Sequence, residues 1–101
     1  MEQALGTERI QCWGIVQGVG FRPFVAKLAD QLGLHGEVRN LGGLVDIKIT
    51  GTQIQRDTFV ETLLQKKPAN AEIVHIERHP IELIPYTEFT IQGSREEEDQ
   101  I

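Results

Sequence analysis

The sequence predicts an α+β sandwich, an antiparallel sheet with two helices on one face, in the order β-α-β-β-α-β. Three observations predict it. Two segments carry apolar residues at helical spacing and are bounded by cap signals. Leu44 to Thr50 alternates apolar and polar residues, as a strand with one covered face does. Further β-branched runs stand before, between and after the helices, which gives the ferredoxin-like split βαβ arrangement.

Ile10 to Val16 reads as the first strand, with Ile10, Trp13, Ile15 and Val16 placing apolar side chains on both faces. A strand apolar on both faces belongs in the interior of a sheet. Gln17 to Arg22 reads as a turn with glycines at 18 and 20, and Pro23 stands where the first helical residue is expected. Phe24, Val25, Leu28, Ala29 and Leu32 then form one helical face, and Gly33 is the expected C-cap.

Glu37 to Asn40 is a short second strand, joined through Leu41-Gly42-Gly43 to the third, Leu44 to Thr50. Val45, Ile47 and Ile49 face one way, and Asp46 and Lys48 face the other, toward an open side. Thr52 and Gln55 match a capping box that opens the second helix. Its expected inner face is Phe59, Val60, Leu63 and Leu64, and Pro68 ends it. Ile73 to Arg78 is the fourth strand, and Phe89 to Ile91 a short fifth.

The 101 residues suffice for one domain with one core. Residues 1–8 read as a lead-in, 9–92 as the domain, and 93–101 as an acidic tail or linker to absent downstream domains. The net charge is −5, of which the last eight residues supply −3 through Glu96, Glu97, Glu98 and Asp99 against Arg95. The nearly balanced body has no basic stripe for a nucleic-acid backbone. No apolar run is long enough to span a membrane, and the start is not a secretory signal. The single cysteine, Cys12, fits a reducing cytoplasm.

Chemistry concentrates in Gly14-Ile15-Val16-Gln17-Gly18-Val19-Gly20-Phe21-Arg22-Pro23-Phe24. A glycine turn between a strand and a helix start presents backbone N–H groups and the positive end of the helix dipole to an anion. Arg22 adds a planar guanidinium that grips two phosphate oxygens at once. The glycine spacing is neither a dinucleotide fingerprint nor a nucleotide P-loop with its Lys-Ser/Thr ending. On loop chemistry alone, a plain tight turn explains the glycines as well as an anion site does.

The run Gly14 to Arg22 resembles the acylphosphatase signature G-x-V-Q-G-V-x-F-R. The resemblance covers roughly residues 8 to 92: Asn40 ends the second strand where the family has its catalytic asparagine, and Gly51 closes the third strand. Gly20-Phe21-Arg22-Pro23-Phe24-Val25, Leu28-Ala29, Leu32-Gly33-Leu34 and Thr87 to Ile91 are similar to a narrower group. That group is the N-terminal acylphosphatase-like domain of the hydrogenase maturation carbamoyltransferases. One departure is Leu44 where the family often has glycine, with glycines at 42 and 43 instead, which implies a differently shaped turn beside Asn40.

The resemblance implies an enzyme that hydrolyses a carboxyl–phosphate anhydride. Gln17, Gly18, Val19, Gly20, Phe21 and Arg22 would bind the phosphoryl group, with Arg22 and Asn40 catalytic. The narrower resemblance implies carbamoyl phosphate as substrate, carbamate passed to other domains of a larger chain, and a place in cyanide-ligand synthesis for [NiFe]-hydrogenase. It implies no cofactor or metal in this domain, and other hydrogenase maturation proteins as further partners.

A free-standing acylphosphatase is the alternative within this class, and two competing classes stand beside it. A phosphate-binding module would hold substrate for other domains without turning it over. A ferredoxin-like nucleic-acid binder would need basic charge and the aromatic RNP motifs of the central strands, which are missing. Gly33-Leu34-His35-Gly36 mimics a KH-type GXXG, but a helix C-cap explains it. His75 and His79, four residues apart in or after a strand, would sit about 13 Å apart, too far to share a metal. Cys12 reads as a packed apolar residue, and Trp13 as core or sheet surface. Lys66 and Lys67 complement a helix C-terminus.

Overall fold

The computed structural model describes residues 4–93. The acidic segment 94–101 and residues 1–3 of the expected lead-in lie outside them. The chain forms β1 (Gly6–Ile15), α1 (Phe21–Gln31), β2 (His35–Leu41), β3 (Leu44–Gly51), α2 (Gln53–Lys66), β4 (Glu72–Ile81) and β5 (Phe89–Ile91). The sheet order is β4-β1-β3-β2-β5. β1 therefore lies inside the sheet, as its two apolar faces predict.

The inward residues of three strands, Ile10 and Cys12, Val38, and Val45, Ile47 and Ile49, meet the buried faces of both helices. α1 contributes Phe21, Val25, Leu28 and Ala29, and α2 contributes Phe59, Val60 and Leu63. Each Val, Leu, Ile or Phe side chain here removed from water stabilises the fold by about 1.5–3 kcal/mol, so this layer is the main driving force for folding.

Cap chemistry sets the helix ends. Leu34 N–H donates to Ala29 O at 2.9 Å and Gly33 N–H to Asp30 O at 3.2 Å, the two bonds of a Schellman motif. Gly33 supplies the left-handed φ of 71°. At α2, Thr52 Oγ1 accepts from the Gln55 N–H at 3.2 Å, and Gln55 Oε1 accepts from the Thr52 N–H at 2.8 Å. The expected capping box is thus present. Gln55 Nε2 also donates to Leu32 O, joining the start of α2 to the end of α1. A Cβ on Gly51 would lie 2.3 Å from Leu34 Cδ2, so the glycine lets β3 pass beneath this junction.

Several expectations need correction. β1 begins at Gly6, not Ile10, so part of the expected lead-in is strand. Its first residues are polar and show no apolar period, yet Thr7 and Glu8 are buried against partners distant in sequence. β4 runs on to Ile81 and includes Pro80, which an edge strand tolerates. α1 starts at Phe21, so Phe21 and Arg22 are helical and Pro23 is the third helical residue, still within the first turn where a missing N–H is harmless. Leu64 is 42% exposed, and Arg56 takes a buried place on α2 instead.

The sheet is mixed, not purely antiparallel, because β5 joins the β2 edge in parallel. To reach that edge from β4, residues 82–88 cross to the opposite side of the sheet. There Ile84 N–H donates to Thr7 Oγ1 at 2.8 Å and Ile84 O accepts from Thr50 Oγ1 at 2.7 Å. The face expected to be open is therefore partly covered. Asp46, expected on that open face, is 3% exposed and paired with Arg9 at 2.7 Å.

Tyr86, on the same crossing segment, donates its hydroxyl to Glu37 at 2.9 Å. Burial pushes the Glu37 carboxyl up, but Tyr86, Arg39 and Lys48 together hold it below its ordinary value. Burial and Glu37 push the Tyr86 phenol up to about 12. A depressed carboxylate stabilises above its ordinary pKa of 4.5 and loses that contribution as pH falls below it. A raised phenol stabilises below its ordinary value of 10.0 and loses its contribution as pH rises toward 12. Tyr86→Phe is expected to lower stability by about 1 kcal/mol at neutral pH and to flatten the alkaline limb of a plot of denaturation midpoint against pH. An unchanged alkaline limb would show that the bond contributes nothing.

Candidate active site

The loop after β1 is shaped by its glycines. At Gly14 (φ 135°), a Cβ would lie 2.1 Å from Glu72 O, so β1 can approach β4 this closely only without a side chain. A register shift against β4 falls between Trp13 and Gly14 and marks a bulge. Gly18 (φ 72°) and Gly20 (φ 76°) are both left-handed, and a Cβ on either would meet nothing within 4 Å. Backbone conformation, not crowding, makes these two residues glycine.

Gly20 is the N-cap of α1 and supplies no side-chain cap, and the first turn holds no acidic residue. The first turn itself therefore places no carboxylate at the positive end of the helix. Among the described residues, no hydrogen bond takes up the N–H groups of Gly18, Val19, Gly20 or Phe21. Phe21 is buried and fixes the helix start in the core, while Arg22 beside it is half-buried.

Arg22 NH1 donates to Gln92 O at 3.3 Å. Gln92 N–H donates in turn to Val38 O at 2.8 Å. The guanidinium is thus indexed to β2, two residues from Asn40. Val38 and Asn40 point to the same, helix-covered face of that strand. Asn40 is 6% exposed, pairs with Val45, and its Oδ1 is buried without a partner among the described residues. On the other side of the loop, Gln17 Nε2 donates to Gly42 O in the β2–β3 turn. Gly42 (φ 66°) occupies the first central position of that two-residue turn, between paired Leu41 and Leu44. The glycines at 42 and 43 therefore make the turn, and Leu44 sits in the ladder.

The predicted residues are thereby gathered: 17–22 form one loop and helix start, and two hydrogen-bond routes connect that unit to the strand and turn around Asn40. Two participants lay outside sequence reasoning. The Gln92 contact is made by a backbone carbonyl, which no residue type signals. The Gln17 side-chain contact depends on a turn 25 residues away.

The chain belongs to the acylphosphatase family.

The acylphosphatase family model matches residues 8–91. The acylphosphatase of Caldivirga maquilingensis is 37% identical over 87 residues, 83% of this chain and 90% of that protein. The probable carbamoyltransferase HypF of Methanocaldococcus jannaschii is 39% identical over 93 residues, 91% of this chain. A crystal structure of full-length HypF in a phosphate- and nucleotide-bound form superposes with a TM-score of 0.89 at 32% identity, covering 93% of this chain. The chain spans 12% of the length of each of these two carbamoyltransferases and corresponds to their N-terminal acylphosphatase-like domain. It is an acylphosphatase-type enzyme domain.

Cys12 is buried, and burial pushes its thiol up to about 12, which suits a packed residue and not a thiolate nucleophile. His75 and His79 both lie within exposed β4 and share Glu77, at 2.8 and 3.2 Å. Among the described residues no group of three His, Cys, Asp or Glu side chains is placed to hold a metal ion. Trp13 stacks at a tilt on His75, with ring centroids 5.1 Å apart. A groove of about 200 Å³ between the helices is lined by Phe24, Lys27, Leu28, Gln31, Thr62 and Lys66, and includes none of the loop residues except through the helix itself. No described helix is long and apolar enough to cross a membrane.

Proposed function

We propose that this domain hydrolyses acyl phosphates at the loop 17–22, and that in a longer chain its substrate is carbamoyl phosphate. The observation that carries the reading is the pair of left-handed glycines running into a helix start with no acidic cap. That arrangement suits a phosphoryl group, whose oxygens take the loop N–H groups while Arg22 pairs with the developing charge. The Asn40 side-chain amide holds a water in line with the phosphorus–oxygen bond that breaks.

The water oxygen bonds to phosphorus as the bond from phosphorus to the acyl oxygen breaks. The acyl group leaves as a carboxylate, or as carbamate when the substrate is carbamoyl phosphate. A phosphate oxygen of the substrate takes the water's proton, so no side-chain base is required, and no metal or cofactor enters a step. The remaining domains of the longer chain would take the carbamate, and the likeness to HypF carbamoyltransferases supports a role in hydrogenase maturation. We place the activity in the cytoplasm, where the lone Cys12 stays reduced.

Phosphate release from benzoyl phosphate and carbamoyl phosphate tests the reading. The wild-type chain is expected to turn over both. Asn40→Ala is expected to lower kcat by about 10²–10³ while inorganic phosphate still binds. Phosphate binding without turnover of either substrate by the wild type would instead assign the domain to substrate holding.

A further inference from the structure

We infer that the Gln17 side chain is a positioning residue that locks the phosphate loop to the turn carrying Asn40. The inference rests on the reading of Asn40 given under Proposed function.

The β2–β3 turn is poorly braced by its own composition. Gly42 and Gly43 have no side chains to pack, and a Cβ on either would meet nothing within 4 Å. Among the described residues, the bond from Gln17 Nε2 to Gly42 O is the one side-chain hydrogen bond that reaches residues 41–43. Asn40 lies two residues before Gly42, in the penultimate pair of the β2–β3 ladder.

Its Oδ1 has no described partner to hold the amide from within the protein. Its aim therefore depends on the backbone at the end of β2, and that backbone is held on its turn side by Gln17. Gln17 in turn begins the loop whose N–H groups face the phosphoryl group. Beside the route through Arg22, Gln92 and Val38, this side chain ties the anion cradle to the turn that follows the water-holding amide and so fixes the distance from phosphorus to attacking oxygen.

The chemistry of the contact also explains the residue type. A donor of three-carbon reach is needed to meet a carbonyl, and a neutral one leaves the charge at the cradle to Arg22. Glutamate would place a carboxylate against the Gly42 carbonyl and beside the phosphate. Methionine keeps length and flexibility but removes the donor.

The test uses Gln17→Met in the full 101-residue chain, alone and combined with Asn40→Ala. In the otherwise wild-type chain, kcat for benzoyl phosphate is expected to fall by about tenfold to a hundredfold, with inorganic phosphate binding changed less than about twofold. In the Asn40→Ala background the same substitution is expected to change kcat little, because the residue through which it acts is gone. An equal loss in both backgrounds, or a loss confined to phosphate binding, would overturn the proposal.

A second readout does not need turnover. The side-chain amide resonances of Asn40 are expected to shift or broaden in Gln17→Met while the melting temperature stays put. Unchanged Asn40 resonances would overturn the positioning role even in an active enzyme. Altered resonances in a chain whose wild type does not hydrolyse acyl phosphates would sustain the lock and refute the proposed reaction instead.

Discussion

Arg22→Ala is expected to reduce kcat/KM for benzoyl phosphate by about 10³–10⁵, the range that removing a transition-state arginine produces in phosphoryl transfer. The loss should appear in binding as well as turnover, because the guanidinium pairs with ground-state and developing charge alike. Inorganic phosphate affinity is expected to fall by about tenfold to a hundredfold, the worth of a charged hydrogen bond. Arg22→Lys should recover only part of this, since an ammonium keeps the charge and loses the fork. Stability should change little, because Arg22 is half-buried at a helix start and Phe21 anchors that start in the core. Steady-state kinetics with calorimetric phosphate titration read both effects. Activity within about tenfold of wild type, set against the 10³ expected, would remove Arg22 from the mechanism.

Glu8→Ala is expected to produce the largest loss of stability among single substitutions of the polar residues. Glu8 is buried on β1 between two arginines. Its Oε1 accepts from Arg56 NH1 at 3.1 Å and from Arg78 NH2 at 3.1 Å, and Oε2 accepts from Arg78 Nε. Arg56, itself buried, also donates to Gly51 O at 3.1 Å. Deleting the carboxylate strands a buried guanidinium, which costs about 3–5 kcal/mol. For a domain of this size the melting temperature should drop on the order of 15–30 °C. Arg78→Met is the contrasting case: Arg78 keeps about a third of its side chain in water, and its loss should cost only about 1 kcal/mol. Equal effects for the two would show that burial does not set the weight of this network. Glu8 lies seven residues before the end of β1, about 23 Å from the loop, so the folded fraction of Glu8→Ala should keep wild-type kcat.

The parts of the molecule that were legible in the sequence are those encoded within a few residues. Gly18, Gly20 and Arg22 announce the loop because left-handed backbone and a helix start leave local signals. Thr52 and Gln55 announce α2 for the same reason. Gly42 and Gly43 announce the hairpin that presents Asn40. The illegible parts depend on polar residues whose partners are remote. Thr7 and Glu8 look like solvated lead-in until Thr50, Ile84, Arg56 and Arg78 are brought to them. Asp46 looks like an open-face residue until Arg9 and the crossing segment cover it. Leu64 matches the helical period and still faces water. Binary patterning weighs apolar against polar and is blind to a polar group whose partner arrives from another part of the chain.

The carbonyl that meets Arg22 belongs to Gln92, almost the last described residue, and this has a consequence for the order of events during synthesis and folding. β1 emerges first yet must lie between β3 and β4, and Thr7 contacts Ile84 across 77 positions of sequence. Contacts so distant make folding slow relative to a chain built from local contacts. The loop, the helix start and the Asn40 hairpin are all translated before β4. A chain still lacking its last dozen residues would hold every predicted site residue and lack the Gln92 carbonyl that accepts from the arginine. With Arg22 in the role proposed above, a molecule clipped before Gln92 is expected to lose turnover before it unfolds.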